Sequence, residues 1–326
     1  MTTSEMTIPE YGQAKYIVLS DCHRGDGSAG DEFARNSLIY KCALEYYLAE
    51  GFTYIELGDA EELWENDAFE QIYITHTSVY DLLRRFHDPD PNRTRYLKVW
   101  GNHDEVWRED TSPLHALFTG IKVHEAVRLN FNGTTILLFH GHQADAKCSG
   151  IGARFSKFVV RHIWPPLQRI GFCDPTRAAE NPGRCDEIDE ALYHLARGRN
   201  IDTSLSRWRP NDTSPLIVVA GHTHRPVYAN LSLTERRFLE TGIGTLGVRR
   251  KHKADPVYYN TGSCVHPRCI TGIEITPGAP TDTSPFHFTL VKWGNVAGAA
   301  VNTADGSRSY PLTVTRTALQ SESKQC

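Results

Sequence analysis

Residues 54–62 read Tyr54-Ile-Glu-Leu-Gly-Asp-Ala-Glu-Glu62. A short run of aromatic and β-branched residues, closed by glycine, suits a buried strand better than a helix. The glycine lets the chain leave the strand sharply, because it tolerates backbone angles that other residues avoid. A carboxylate follows at once. The same arrangement recurs on both sides of this stretch. Tyr16-Ile-Val-Leu19 runs into Asp21-Cys22-His23, and Tyr96-Leu-Lys-Val-Trp100 into Gly101-Asn102-His103-Asp104. Thr135-Ile-Leu-Leu-Phe139 runs into His140-Gly141-His142, and Leu216-Ile-Val-Val-Ala220 into Gly221-His222-Thr223-His224.

Helical patterns separate these runs. Ala34, Leu38, Cys42 and Tyr46 repeat at i+4, with Gly51 placed as a C-terminal glycine. Phe69, Ile72, Val79, Leu82, Leu83 and Phe86 also recur at helical intervals. Alternating strands and helices predict an α/β layer architecture. Residues 143–214 break the rhythm and read as a helical insertion or lid, one helix carrying a basic arc of Arg154, Lys157 and Arg161 before Pro165-Pro166. The alternative is that these helices simply cover a sheet face. From Val257 to Trp293 short runs predict an antiparallel second sheet. We place the main domain at 15–300, with 302–326 a polar, flexible tail.

Ligands of open α/β sheets bind beyond the carboxyl ends of the strands, and here five such ends carry carboxylate, amide or imidazole groups. Asp21 and His23, like His222 and His224, are two apart. In extended backbone such pairs point the same way and can reach one metal. Mixed Asp, Asn and His ligands suit divalent manganese, with iron, zinc or magnesium as alternatives, rather than thiolate-seeking ions. Asp59 can bridge two ions, which together can share a hydroxide and clamp a phosphoryl group. Each motif alone is common; five in order, each behind a strand, specify a site.

The blocks D-x-H, G-D-x-x-E, G-N-H-D, H and G-H-x-H, spread over residues 21–224, resemble the calcineurin-like metallophosphoesterase superfamily. The resemblance implies an αββα sandwich of two mixed β-sheets flanked by helices, and two divalent metal ions. It assigns Asp21, His23 and His224 to one metal, and Asn102, His140 and His222 to the other, with Asp59 bridging. It makes His103 the group that protonates the leaving oxygen and Asp104 the carboxylate that orients it. Asn260-Thr-Gly-Ser263 resembles a strand and turn that often follows the last histidine motif.

Gly58-Asp-Ala-Glu-Glu-Leu-Trp64 and His222-Thr-His-Arg-Pro226 further resemble the UDP-2,3-diacylglucosamine pyrophosphatase-like branch. That branch carries arginine where this chain has His103, and usually aspartate where it has His142, so this chain need not share its lipid substrate. The implied activity is hydrolysis of a phosphodiester or pyrophosphate bond in a small-molecule or lipid-linked substrate. The alternatives are a metal-dependent nuclease and, in another class, a non-catalytic metal-binding scaffold.

Composition narrows the choice. Formal charge is −4, without the basic excess of broad nucleic-acid binders; the basic runs are Arg236-Arg237 and Arg249-Arg-Lys-His-Lys253, read as solvated loop or as steering for an anion. The 8 cysteines form no Cys-x-x-Cys and read as reduced thiols, Cys22 packing inward. No leader or membrane-spanning run is visible, which predicts a cytoplasmic protein with at most peripheral membrane contact. Around the motifs, His142 reads as a structural group or a substrate contact. Glu62 reads as an acceptor for a ligating histidine or a helix-terminal carboxylate. Arg225 reads as a phosphate contact or a solvated arginine.

Overall fold

The computed structural model describes residues 5–8, 14–28, 30–66, 68–131, 133–145, 182–209, 215–227, 257–278, 286–297, 301–302, 308–309 and 312–323. All five motif-bearing runs are strands: β2 (Tyr16–Leu19), β3 (Thr53–Leu57), β4 (Tyr96–Val99), β7 (Thr134–Phe139) and β8 (Leu216–Ala220). They divide between two mixed sheets. With β5 (Val123–His124), β11 (Cys269–Pro277), β12 (Phe286–Ala297) and β15 (Leu312–Ser323), the first has the order β15-β12-β11-β2-β3-β4-β5. With β1 (Glu5–Ile8), β6 (Ala126–Phe131), β9 (Pro226–Val227) and β10 (Tyr258–Thr261), the second has the order β1-β6-β7-β8-β10-β9. The central pairs β2–β3, β3–β4 and β7–β8 are parallel, so their carboxyl ends share an edge.

Alternation along each strand builds three apolar layers. Val18, Ile55, Leu57 and Val99 from one sheet meet Leu129, Ile136, Leu138, Ile217 and Val219 from the other. The neighbouring residues Ile17, Leu19 and Tyr54 face outward onto α1 (Ser37–Ala49) and α3 (Thr77–Phe86), through Ile39, Ala43, Val79 and Leu83. Leu137, Phe139 and Val218 face outward on the other side, onto Ile188, Leu192 and Leu195 of the helix Pro182–Arg197. This is an α/β sandwich in four layers, as the motifs imply.

Several local expectations change. The helical pattern of Phe69–Phe86 breaks at His76 into α2 (Phe69–Thr75) and α3, where the imidazole is tied to Asp31 at 2.8 Å. The strands after Val257 do not make one antiparallel sheet. β10 joins β8 in parallel, whereas β11 runs antiparallel to β2 in the other sheet. Residues 312–323, expected as tail, form β15, which pairs antiparallel with β12; the threonines at 313, 315 and 317 are β-branched and suit an edge strand despite their polarity. After α4 (Ser112–His115), the helix Pro182–Arg197 is α5, and it covers a sheet. The helix expected near 151–163 and the basic runs at 236–237 and 249–253 lie outside the described residues. No helix among the described residues is long and apolar enough to cross a membrane. The five described cysteines are free thiols, Cys22 among the buried ones.

A buried ionic knot ties the motif loops together from behind. Arg24 reaches Glu56 at 2.8 Å and Glu61 at 2.6 Å, and Lys98 reaches the same two carboxylates at 2.8 and 2.9 Å. Two cations face two anions, and the hydroxyls of Tyr80 and Tyr96 and the indole N–H of Trp107 fill the remaining acceptor sites. Breaking such a pair strands the other charge in the core. Lys98→Met should therefore cost about 3–5 kcal/mol of folding stability in denaturant titration. A variant as stable as the parent would show that the knot does not hold the loops.

Candidate metal centre

The expected ligands converge at the shared carboxyl edge. Seven non-glycine residues among those described have positive φ, and five of them are Asp21, His23, Asp59, His222 and His224. The paired ligands therefore meet through left-handed backbone, not through the extended backbone that i, i+2 spacing suggests. Such residues cost about 1–3 kcal/mol each and persist where the surroundings overdetermine them. Here the strand ladder continues past its ends to do so: Asp21 N–H donates to Gly58 O at 3.1 Å, and His23 N–H to Asp59 O at 2.9 Å. His222 N–H donates to the Asp21 carboxylate at 3.0 Å, and Gly221 N–H to His140 O at 2.9 Å.

Gly101 is required by space. A Cβ there would overlap Asp59 Oδ1 and lie 2.6 Å from the Asp59 nitrogen and 2.8 Å from His140 Cδ2.

Two sets of ligand atoms result. His23 Nε2 and His224 Nε2 are 3.2 Å apart, and His224 Nε2 is 3.2 Å from Asp21 Oδ1. His140 Nε2 is 3.1 Å from Asp59 Oδ2, an oxygen that also lies 3.8 Å from His23 Nε2. Donors held about 2.1 Å from one ion lie about 3.0–3.4 Å from each other, for bond angles between a right angle and tetrahedral. The spacings of 3.1 and 3.2 Å fall in that range, and the 3.8 Å from Asp59 to His23 separates the two sets. Asp21–His23–His224 and Asp59–His140–His222 form two groups able to hold an ion, with Asp59 between them; His23–Asp59–His103 forms a third.

The outer nitrogens settle which atoms face inward. His23 Nδ1 is 2.7 Å from Glu62 and His140 Nδ1 is 3.0 Å from Leu57 O, so each donates outward and keeps its Nε2 lone pair for the centre. His222 Nε2 is 3.1 Å from Asp145 Oδ2, which leaves Nδ1 as the free nitrogen of that ring. Asn102 Oδ1 and His140 Nε2 are buried with no hydrogen-bond partner. Orphaned acceptors in a dry site fit a cation, and the Asp, Asn and His set fits divalent ions of the manganese, iron or zinc kind.

The electrostatics agree. Burial alone would raise the Asp59 pKa, but His140 and His103 outweigh it and hold the carboxyl well below its ordinary range. Burial likewise opposes, and His224 and His140 overcome, to hold Asp21 at about 2. Against its own burial, His140 is pushed up to about 9 by Asp59 and Asp21. The Asp21 and Asp59 carboxylates stay ionised and draw in positive charge.

His103 sits beside this centre. Its backbone N–H donates to Asp59 Oδ1 at 2.8 Å, and its ring stacks on Trp64 with centroids 4.1 Å apart. The expected partner, Asp104, is elsewhere. Its carboxylate accepts the N–H groups of Gly101 at 2.6 Å and Ala60 at 3.0 Å, and burial lifts its pKa to about 7. The carboxylate on His103 Nδ1 is Glu62, at 2.8 Å. Burial lowers the His103 pKa, but Glu62 and Asp59 more than compensate and raise it above its ordinary value. Glu62 thus holds both His23 and His103.

Other expectations resolve as follows. Arg225 is not a solvated arginine: its side chain is 3% exposed, its Nη2 pairs with Asp186 and Asp189 of α5 at 2.9 and 3.0 Å, and its Nε and Nη1 are buried without a hydrogen-bond partner. His142 is tilted against Trp100 and His140, and burial with the charge of His140 keeps its pKa well below the ordinary value. In the Asn260–Ser263 stretch, Asn260 Nδ2 donates to Gly221 O at 2.6 Å and Ser263 Oγ to Asp21 O at 3.1 Å, bracing two ligand loops. Asp145 went unread in the sequence; the only local signal is a carboxylate five residues after His140.

No family model matches the chain, and no curated relative does. Among solved structures it is similar to a predicted phosphoesterase from Streptococcus pneumoniae TIGR4 at 15% identity and TM-score 0.31, covering 95% of this chain and 99% of that one. It is similar to Yfce, a phosphoesterase from E. coli, at 13% identity and TM-score 0.32, covering 94% and 100%. A Vps29 mutant from Entamoeba histolytica gives 15% identity and TM-score 0.37, covering 94% and 99%. These scores are low, and the chemistry of the centre stands on its own side chains.

Gly101→Ala should cost about 1–3 kcal/mol, because the added methyl has no free volume beside Asp59 and His140. Thermal unfolding of the metal-free chain measures it; an unchanged midpoint would contradict the packing described.

Proposed function

We propose that the chain is a member of the calcineurin-like metallophosphoesterase superfamily, a hydrolase of phosphodiester or pyrophosphate bonds that works with two divalent metal ions. What carries this reading is the pair of adjacent ligand groups, Asp21–His23–His224 and Asp59–His140–His222, with Asp59 Oδ2 3.8 Å from His23 Nε2 and with Asn102 Oδ1 buried without a hydrogen-bond partner. Asp21, His23 and His224 would hold one ion, and Asn102, His140 and His222 the other, with manganese the leading candidate. When bound, two such ions supply a water-derived nucleophile near neutral pH and offset charge on the phosphoryl oxygens.

The chain's own residues do the rest. Asp59 holds both halves of the site at one separation while donating nothing itself. Glu62 accepts from His103 Nδ1, which aims Nε2 away from that carboxylate. Glu62 and Asp59 raise the His103 pKa against its burial, which favours the protonated ring that a proton donor to the leaving oxygen needs. Stacking on Trp64 keeps the ring in plane for that transfer. The rings of His23, His103, His222 and His224 are the part-exposed rim, so a phosphate approaches over them. The substrate we infer is a small or lipid-linked phosphate compound.

A panel of a monoester, a diester, a UDP-linked lipid, a cyclic nucleotide and single-stranded DNA, assayed on manganese-loaded protein, tests the reading. Turnover of a diester or of the UDP-linked lipid supports it; manganese binding without turnover of any member would favour a scaffold. Asp59→Asn should lose both metal content and activity, since one carboxylate serves both ions; native turnover in that variant would overturn the ligand assignment. His103→Ala should keep its metals but turn over about 10²–10⁴-fold more slowly. The deficit should shrink for aryl leaving groups, which need no proton, and an equal deficit for alkyl and aryl esters would exclude a general acid at this position.

A further inference from the structure

Helix α5 reaches the Gly221–Arg225 loop from the outer face of the sheet. Asp189, near the middle of the helix and 8% exposed, receives three donors from that side. Its Oδ2 accepts from Arg225 Nη2 at 3.0 Å, and its Oδ1 accepts from the Tyr258 hydroxyl at 2.8 Å and the Thr223 hydroxyl at 3.4 Å. Thr223 lies between His222 and His224, and Arg225 follows them. Asn260 closes the arrangement, donating to Gly221 O at 2.6 Å and to the Thr223 hydroxyl at 3.2 Å.

The loop needs holding. His222 and His224 have φ of 68° and 54°, in the left-handed region where histidine is strained. The His222 N–H is committed to Asp21, which leaves Thr223 and Arg225 as the residues that anchor the other half of the turn. Each histidine belongs to a different ligand group, so a tilt of this one turn moves a donor at both metal positions.

We infer that Asp189 is a positioning residue for the metal centre: through Thr223 and Arg225 it fixes how His222 and His224 are presented. The helix expected to be part of a lid is, at this residue, a support for the ligands. This rests on the two-metal reading proposed above.

Manganese titration of the full chain by calorimetry, beside the melting temperature of the metal-free protein, tests it. Asp189→Ala should bind manganese about 10-fold more weakly at both positions, the low end of the loss seen when a group bonded to a ligand itself is removed. Asp189→Asn keeps an acceptor for Tyr258 and Thr223 and should fall between Asp189→Ala and the native chain. Glu190→Ala, on the next residue of α5 where the side chain is 71% exposed, should bind as the native chain does. A purely structural role would lower the melting temperature and leave both affinities native, and that result overturns the inference; so does a loss confined to one position. If Asp189→Ala does not fold, Asp189→Asn and Tyr258→Phe carry the test, and native affinity in both overturns it. A native chain that binds no manganese would instead defeat the two-metal reading, before any variant is made.

Discussion

Crowding of electron pairs governs this molecule. Where the carboxyl edges of two sheets meet, imidazole nitrogens and carboxylate oxygens stand 3.1–3.2 Å apart. Unpaired acceptors at that distance repel one another in a dry environment, and buried polar atoms without partners are costly. Positive charge resolves the conflict. Divalent ions would do so at every contact at once.

The rest of the fold answers to that crowding. Left-handed backbone at five ligands turns each strand end sharply enough to bring the side chains inward. Glycine at 101 leaves the space in which Asp59 and His140, from opposite sheets, meet. Behind the loops, Arg24, Glu56, Glu61 and Lys98 form a buried knot whose members adjoin the motifs: Arg24 follows His23, and Glu61 lies two residues beyond Asp59. Strain at the site and rigid ionic packing behind it are two sides of one arrangement.

Glu62 joins the two chemical roles of the centre. One carboxylate holds the outer nitrogen of His23, a ligand, and of His103, the proton donor in the proposed reaction. Metal binding at one ring and protonation at the other are therefore linked through a shared acceptor. Asp145 serves His222 in the same way from a different loop. His23, His103, His140 and His222 are each aimed by the partner of one ring nitrogen, and that partner sets which lone pair is free.

Much of this was legible in the residues themselves. Apolar runs of four or five residues, each ending in Gly, Asp or His, marked the strands at β2, β3, β4, β7 and β8. Their order and spacing marked the ligands, because strand ends in an α/β sandwich must share an edge. Tertiary structure alone decided the partners. Glu62 takes the place expected of Asp104 on His103, across 41 residues. Arg225 pairs with Asp189, 36 residues upstream. The threonine-rich segment from 312 to 323 becomes an edge strand because β12 offers it an unpaired ladder. Periodicity records which face of an element is buried, and motifs record which chemistry is present. Which distant polar group meets which depends on how whole segments approach, and no local pattern encodes that approach.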